Sequence, residues 1–396
     1  MKILMLTPYL PYPIWSGGQI RTYNLLKNLS KKHEITLYSF IRDEQEKEYI
    51  PRLKKYCIDV KVFKKRPPWA PKSLFLSAVT YYPLVVCMYY IQEVKKAIAK
   101  ELERQRFDII HAETFYVMPN IPPNTIPTIL AEQTIEYLVY KHYTKSIQFL
   151  LLKLLMEWDV VKIKFWEKRF WQKATRVVTM SLPDKKIMQS LIPNLPVDLV
   201  PNGVDVSFFE KRKDKIDSTR PTILFVGNFK WLQNREAVSI LMKDIWPQIV
   251  SRIPKATLWI IGRHPPKSIR SYQSSSVRIT EDMEDIRKAY IKSDVLLAPI
   301  YGPGGTRYKI LEAMATGLPV VTTTTGIEGL GAVHNKHAII SDNVKVLASE
   351  TVTVLTNPSL YRKLAKNGRE LVERQFNWEM IANKLDRIYK EAAHHM

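Results

Sequence analysis

The feature that most constrains this chain is a repeated alternation in which a short apolar run ends at a polar or glycine-containing turn, a helical pattern follows, and a new apolar run begins. Residues 2 to 7 (KILMLT) read as a buried strand, and a loop with Gly17 and Gly18 leads into a helical pattern over 19 to 31, with Leu25, Leu26 and Leu29 on one face. Residues 34 to 40 (EITLYSF) alternate as a second strand. Strand, glycine turn, helix, strand is a βαβ unit of a parallel sheet, and such sheets bind ligands at the carboxyl ends of their strands. Residues 107 to 111 (FDIIH), 128 to 131 (TILA), 176 to 180 (RVVTM) and 197 to 200 fit further strands, and the polar tails HAE and EQTIE fall where strand ends would face a cleft.

The second half repeats the pattern with strands at 222 to 227 (TILFVG), 257 to 262 (TLWIIG), 277 to 279 and 295 to 299 (VLLAP), and helices over 235 to 250 and 283 to 291. A helix ends at Thr316-Gly317, where glycine suits a left-handed cap, and Pro319 opens the strand 319 to 323. The fold class is therefore α/β with two Rossmann-like domains, which suits a length of 396 residues, 46% of them hydrophobic. Residues 208 to 220 are charged and poor in apolar side chains, as a linker is, and residues 378 to 393 form an amphipathic terminal helix through Ile381, Leu385, Ile388 and Tyr389.

Sixty Lys and Arg against 38 Asp and Glu give a formal charge of +22, which favours an anionic partner. No nucleic-acid reader motif accompanies the charge, so a phosphate ligand or an anionic membrane surface is expected instead. Two cysteines, Cys57 and Cys87, outside any metal-like spacing, fit a reducing cytoplasm and indicate neither a disulfide framework nor zinc. The N-terminal apolar run meets prolines before reaching signal-peptide length and reads as a first strand. Residues 73 to 92 are uncharged for about the length that spans a bilayer. Pro83, the tyrosines and the hydroxyl residues favour an interfacial or substrate-facing segment over a spanning one. The basic aromatic stretches 64 to 72 and 141 to 176 add an expectation of peripheral attachment at the inner face of the membrane, against the alternative of an ordinary buried helix with a solvated face.

The most chemically informative string is GPGGTRYKILEAMATGLPVV, residues 302 to 321, a glycine-rich loop between a strand end and a helix N-terminus. Glycines allow backbone N–H groups close to an anion, the helix dipole favours negative charge, and Arg307 and Lys309 add cations in the first turn. Glu312 stands where a carboxylate can accept two vicinal hydroxyls, its other reading being a surface carboxylate paired with Lys309.

With this string, the glycine pair near the N-terminus, PNGVD, FVGNFKWLQN, LWIIGR, SDVLLAP and TTGIEGL stand in an order that resembles the group-one, largely retaining glycosyltransferases of the GT-B fold. The resemblance spans most of the chain and implies two Rossmann-like domains facing across a cleft. It assigns 1–205 to an acceptor-binding domain, 206–220 to a linker, 221–375 to a nucleotide-sugar-binding domain, and 376–396 to a helix crossing back to the first domain. Glu312 matches the family's ribose-binding glutamate, Gly304, Gly305 and Thr306 the loop facing the donor diphosphate and sugar, and Gly17 and Gly18 the N-domain loop over the same phosphates. Gly227, Arg263 and Glu328 border the nucleotide pocket, the two charged ones having capping or solvated roles as alternatives.

Three positions depart from the family pattern. Gly304 stands where a glutamate is common, Asn228 and Gln233 where a phosphate-clamping Arg and Lys are, and Gln133 where many members have a histidine against the donor sugar. Arg307, Lys309 or Lys230 are the replacements for the clamp, and His111 is the alternative to Gln133 as the group on the sugar side. No two aspartates stand two apart, so the DxD diphosphate-metal motif is absent and metal-independent transfer, with no cofactor beyond the nucleotide sugar, is expected. The expected activity is hexosyl transfer with retention to a glycan or lipid-linked acceptor, as in polysaccharide biosynthesis. An inactive nucleotide-sugar-binding scaffold and a sugar-nucleotide epimerase or hydrolase are the alternatives.

Overall fold

Every strand pair in the computed structural model, which describes residues 1–210, 220–302 and 307–394, is parallel. The chain forms two compact units, Met1–Pro201 with Trp378–Met396, and Asn202–Asn377. Unit 1 begins β1 (Lys2–Thr7), α1 (Gly17–Leu29), β2 (Glu34–Ile41), α2 (Ile50–Leu53) and β3 (Asp59–Lys64). Helices α3 (Pro71–Val79), α4 (Leu84–Tyr89) and α5 (Gln92–Arg104) precede β4 (Ile109–Glu113) and β5 (Thr128–Glu132). Then come α6 (Glu136–Thr144), the long α7 (Leu150–Lys173), β6 (Arg176–Thr179), α8 (Leu182–Leu191) and β7 (Val197–Leu199).

Unit 2 runs β8 (Thr222–Asn228), α9 (Leu232–Ile240), α10 (Trp246–Val250), β9 (Thr257–Arg263), α11 (Lys267–Arg270), β10 (Val277–Glu281) and α12 (Arg287–Lys292). It continues through β11 (Val295–Ala298), α13 (Tyr308–Thr316), β12 (Val320–Thr322), β13 (Ile339–Ile340), α14 (Val344–Thr356) and α15 (Pro358–Gln375). The terminal helix α16 (Trp378–His394) belongs to unit 1, where it packs on α1. Its Asp386 receives His33 Nε2 at 2.8 Å and Lys390 at 3.1 Å.

The strand orders are β3-β2-β1-β4-β5-β6-β7 and β10-β9-β8-β11-β12-β13. In each sheet the chain first winds outward from one strand and then resumes on that strand's other side, so β1/β4 and β8/β11 are the topological switch points where a crevice opens at the strand carboxyl ends. Helices on both faces explain why β1 is buried at five successive positions rather than at alternate ones. Two separate cores result, one per unit.

The helix read over 235 to 250 is two helices joined by a π-helical turn, Leu241–Ile245, directly before Pro247, whose missing N–H cannot continue the ladder. Of the segment read as a linker, Phe209 is buried in the core of unit 2, and residues 211–219 lie outside the described residues. The uncharged run 73 to 92 is divided among α3, α4 and the start of α5, with Pro83 as the N-cap of α4. Among the described residues no helix is long and apolar enough to cross a membrane.

The end of β8 is held by a close backbone approach. Gly262 pairs with Gly227, and a Cβ on Gly262 would overlap the Gly227 carbonyl oxygen and lie 2.8 Å from the Phe229 ring. Gly262→Ala is expected to destabilise the protein by about 1–3 kcal/mol, the usual cost of overpacking, read as a lower denaturant midpoint at unchanged slope.

Candidate active site

In unit 2, β11 ends at the switch point and the chain enters α13 with Arg307 at the N-cap. Among the described residues no side chain caps this helix and no acidic residue stands in its first turn, so its partial positive charge is left uncompensated there. Gly304, Gly305 and Thr306 lie outside the described residues. Arg307 Nη2 donates to the Gly302 carbonyl at 2.7 Å. Gly317 closes the helix in the left-handed conformation, φ 73°, as the sequence indicates.

Lys309, in the first turn, is buried and reaches out of its helix to donate to Asn234 Oδ1 of α9 at 2.8 Å, with its Nζ 4.3 Å from the centre of the Phe225 ring. Burial, joined by the charge of Arg307, brings its pKa down to about 7 against the opposing pull of Glu312. Asn234 in turn donates Nδ2 to the Asn228 carbonyl at 2.8 Å, and its side chain stands 3.0 Å from where a Cβ on Gly227 would be. The amine carried by the helix that follows β11 is thereby fixed, through Asn234, against the end of β8. Lys230 instead belongs to the exposed turn that follows β8.

Glu312 is not a surface partner of Lys309: its Oε2 accepts from Tyr290 of α12 at 2.7 Å. Burial raises its pKa, which the Tyr290 bond and Lys309 only partly offset. Glu328 has its pKa raised by partial burial and lowered by the nearby charge of Arg307, which places the two in one field. Arg263, at the end of β9, pairs with Asp282 at 3.3 Å. Asn234 and Tyr290 were missed by sequence reasoning; Asn234 lies within FVGNFKWLQN, whereas nothing local marks Tyr290.

In unit 1, Gly17 and Gly18 are not in a loop but form the first turn of α1, which Ser16 caps by accepting the Gln19 N–H. A Cβ on Gly18 would stand 2.6 Å from Gln133 Oε1 and 2.8 Å from Tyr9 Cζ, so that turn sits against the end of β5. Gln133 Nε2 donates to Glu113 Oε2 at 2.8 Å and to the Tyr9 hydroxyl. The HAE tail is part of β4 rather than beyond it. His111 is fully buried, with Nδ1 2.7 Å from the Tyr389 hydroxyl of α16 and Nε2 3.2 Å from Glu113 Oε1. Both its nitrogens are engaged inside the fold and the side chain is fully buried, so His111 presents no surface to a sugar. Glu132 of the EQTIE tail is also turned inward, accepting the Trp171 indole N–H at 3.0 Å, and burial together with the charge of Glu167 pushes its pKa well above the ordinary carboxylate value.

Against this geometry, residues 220–357 match the family described as glycosyl transferases group 1, and residues 15–208 that described as glycosyltransferase family 4. The chain is a group 1 glycosyltransferase. The two matches take in most of its length, and its sheets are those of GT-B enzymes. It is 21% identical to an uncharacterized 44.6 kDa protein in the cps region of Klebsiella pneumoniae over 98% of this chain and 99% of that one. It is 27% identical to the phosphatidyl-myo-inositol mannosyltransferase of Mycobacterium leprae over 49% of this chain and 53% of that one. The crystal structure of Anabaena HepE in complex with UDP and glucose superposes with a TM-score of 0.67 at 16% identity, covering 99% of this chain and 100% of that one.

Glu113 supplies a test of the unit 1 network. Burial raises its pKa, but the His111 hydrogen bond and charge, Arg21 and Gln133 outweigh burial and hold it below the ordinary value of 4.5. A carboxylate depressed in the folded state adds stability that is complete above its unfolded pKa and lost as pH falls through the lower folded value. Glu113→Gln is therefore expected to cost about 1.5–3 kcal/mol at neutral pH, the gap to the parent narrowing on acidification below 4.5. Urea titrations at a series of pH values read it.

Proposed function

We propose that this glycosyltransferase moves a hexose from a nucleoside-diphosphate sugar to a glycan or lipid-linked acceptor, with retention and without a metal ion or further cofactor, on the cytoplasmic side of the membrane. The observation that carries this reading is Lys309, buried in the first turn of α13 and held against Asn234 at the switch point of the second sheet. The α13 amides, Lys309 and Arg307 offset the two charges of the diphosphate as it leaves, the fixed electrostatic stabilisation that contributes most in many enzymes. Glu312, oriented by Tyr290, accepts the ribose hydroxyls. In unit 1, Gln133, fixed by Glu113, is the group offered to a sugar hydroxyl. The leaving diphosphate oxygen takes the acceptor proton on the face where the new bond forms, which requires no enzymic carboxylate pair and retains the anomeric configuration. Support for the donor class comes from the HepE complex, whose ligands are UDP and glucose, and for a lipid-linked acceptor from the mannosyltransferase relative. The absence of a DxD motif supports metal independence.

The test is a panel of UDP-, GDP- and ADP-sugars with nucleotide release and product anomer as readouts. Release with one donor, an α-product from an α-donor and indifference to EDTA are expected. Binding of nucleotide without turnover of any donor would leave a scaffold, and loss of activity in EDTA would refute the metal-free reading. Lys309→Met is expected to weaken nucleoside-diphosphate binding by about tenfold or more.

Because a bound diphosphate stabilises the charged form of Lys309, binding takes up a proton where the free amine has lost it. Affinity for UDP or GDP should therefore fall as pH rises above about 7, and Lys309→Met should flatten that dependence; calorimetry in buffers of different ionisation enthalpy measures the proton uptake directly.

A further inference from the structure

One surface of unit 1 has its polarity inverted. On α3, Ser73 is fully buried and Ser77 accepts from the buried amine of Lys162, at 2.8 Å through its carbonyl and 3.0 Å through its hydroxyl. The opposite face, turned to solvent, carries Leu74, Phe75 and Val79, 50%, 65% and 60% exposed. A helix packed on a protein in water shows the reverse. The start of α7 repeats the anomaly: Leu150, Leu151, Leu154 and Leu155 are exposed at 68%, 59%, 55% and 61%, and a buried stripe begins only at Val160.

The two elements make one patch. Tyr81, in the turn after α3, lies edge-on to the exposed rings of Trp158 and Phe165 at 6.1 and 5.0 Å, and its carbonyl accepts from Trp166 Nε1 at 2.8 Å. Asp159 of α7 accepts the first N–H of α4 at 3.0 Å, so the α3–α4 hairpin is fixed on α7. Exposed apolar groups in this number and contiguity mark a docking surface.

The surrounding charge chooses the occupant. From residue 60 to residue 92 there is no Asp or Glu, while Lys61, Lys64, Lys65, Arg66 and Lys72 are all basic. Residues 141 to 176 hold nine Lys and Arg against three acids, of which Asp159 and Glu167 are bonded inside the fold. A second copy would bring the same positive field and a net charge of +22 against it. We infer that the exposed faces of α3 and the first turns of α7 lie in the plane of an anionic bilayer, leucines and aromatics inserted among the acyl chains and lysines at the headgroups. This deepens the proposed function and rests on it in one respect, the choice of a lipid-linked acceptor over a soluble glycan. Binding of this kind scales with the apolar area inserted plus attraction to acidic lipid.

The experiment is co-sedimentation of the full chain with phosphatidylcholine vesicles, with and without phosphatidylglycerol. Pelleting with the anionic vesicles, weakened by salt, is expected. Leu151→Glu/Leu155→Glu and, separately, Phe75→Glu should each lower the partition coefficient by about tenfold or more at unchanged melting temperature. Equal binding to neutral vesicles, no binding, or variants that bind like the parent would overturn the inference. So would a parent that is dimeric in light scattering while Leu151→Glu/Leu155→Glu is monomeric, because a second copy would then be the occupant. The vesicles contain neither donor nor acceptor, so failure of the transferase reading would leave this result standing, and donor hydrolysis at the parent's rate in both variants would separate the surface from the reaction.

Discussion

Parallel strands cannot be joined by tight turns; each must be followed by a crossover, and right-handed crossovers on either side of the first strand leave on opposite faces of the sheet. Both sheets of this enzyme obey that rule, and both place their unusual polar groups where the faces diverge. In unit 2 the place is taken by a helix end with a buried amine; in unit 1 by a helix end pressed on a glutamine. The chemistry thus follows from connectivity before it follows from any single side chain.

Charge burial is what gives the second site its character. An ammonium group removed from water tends to give up its proton, and burial, joined by the charge of Arg307, holds Lys309 near that point while its amine donates to the neutral amide oxygen of Asn234. In the proposed reading, a diphosphate beside this amine would restore its charge. The carboxyl of Glu312 is treated differently, given a phenolic donor that fixes its direction without neutralising it.

The strands, the α13 helix and its glycine cap were legible because they rest on local signals: apolar runs, turn residues and helical spacing. β3 and β13 were not: the alternating DVKVFK of β3 is half exposed at the sheet edge and broken by lysines, and β13, Ile339–Ile340, is too short to show a pattern. The helices α14 and α15 follow the last motif and were passed over although both have asparagine caps. Gly17 and Gly18 were read as loop because glycine is a poor helix former, yet Ser16 caps them into the helix and Tyr9 leaves no space for a side chain. The fate of His111 could not be read locally at all, because its partner Tyr389 stands 278 residues away. Nor could the inversion of α3, where composition alone does not say which face turns inward.

The placement of α16 has a consequence for how the protein is made. Unit 1 is discontinuous in sequence, completed only by residues that are made after the whole of unit 2, whereas unit 2 is uninterrupted. During synthesis, the later half of the gene product therefore has everything it requires to fold first. The earlier half waits with His33 and His111 lacking the aspartate and tyrosine that satisfy them, and with the face of α1 that receives α16 open to water.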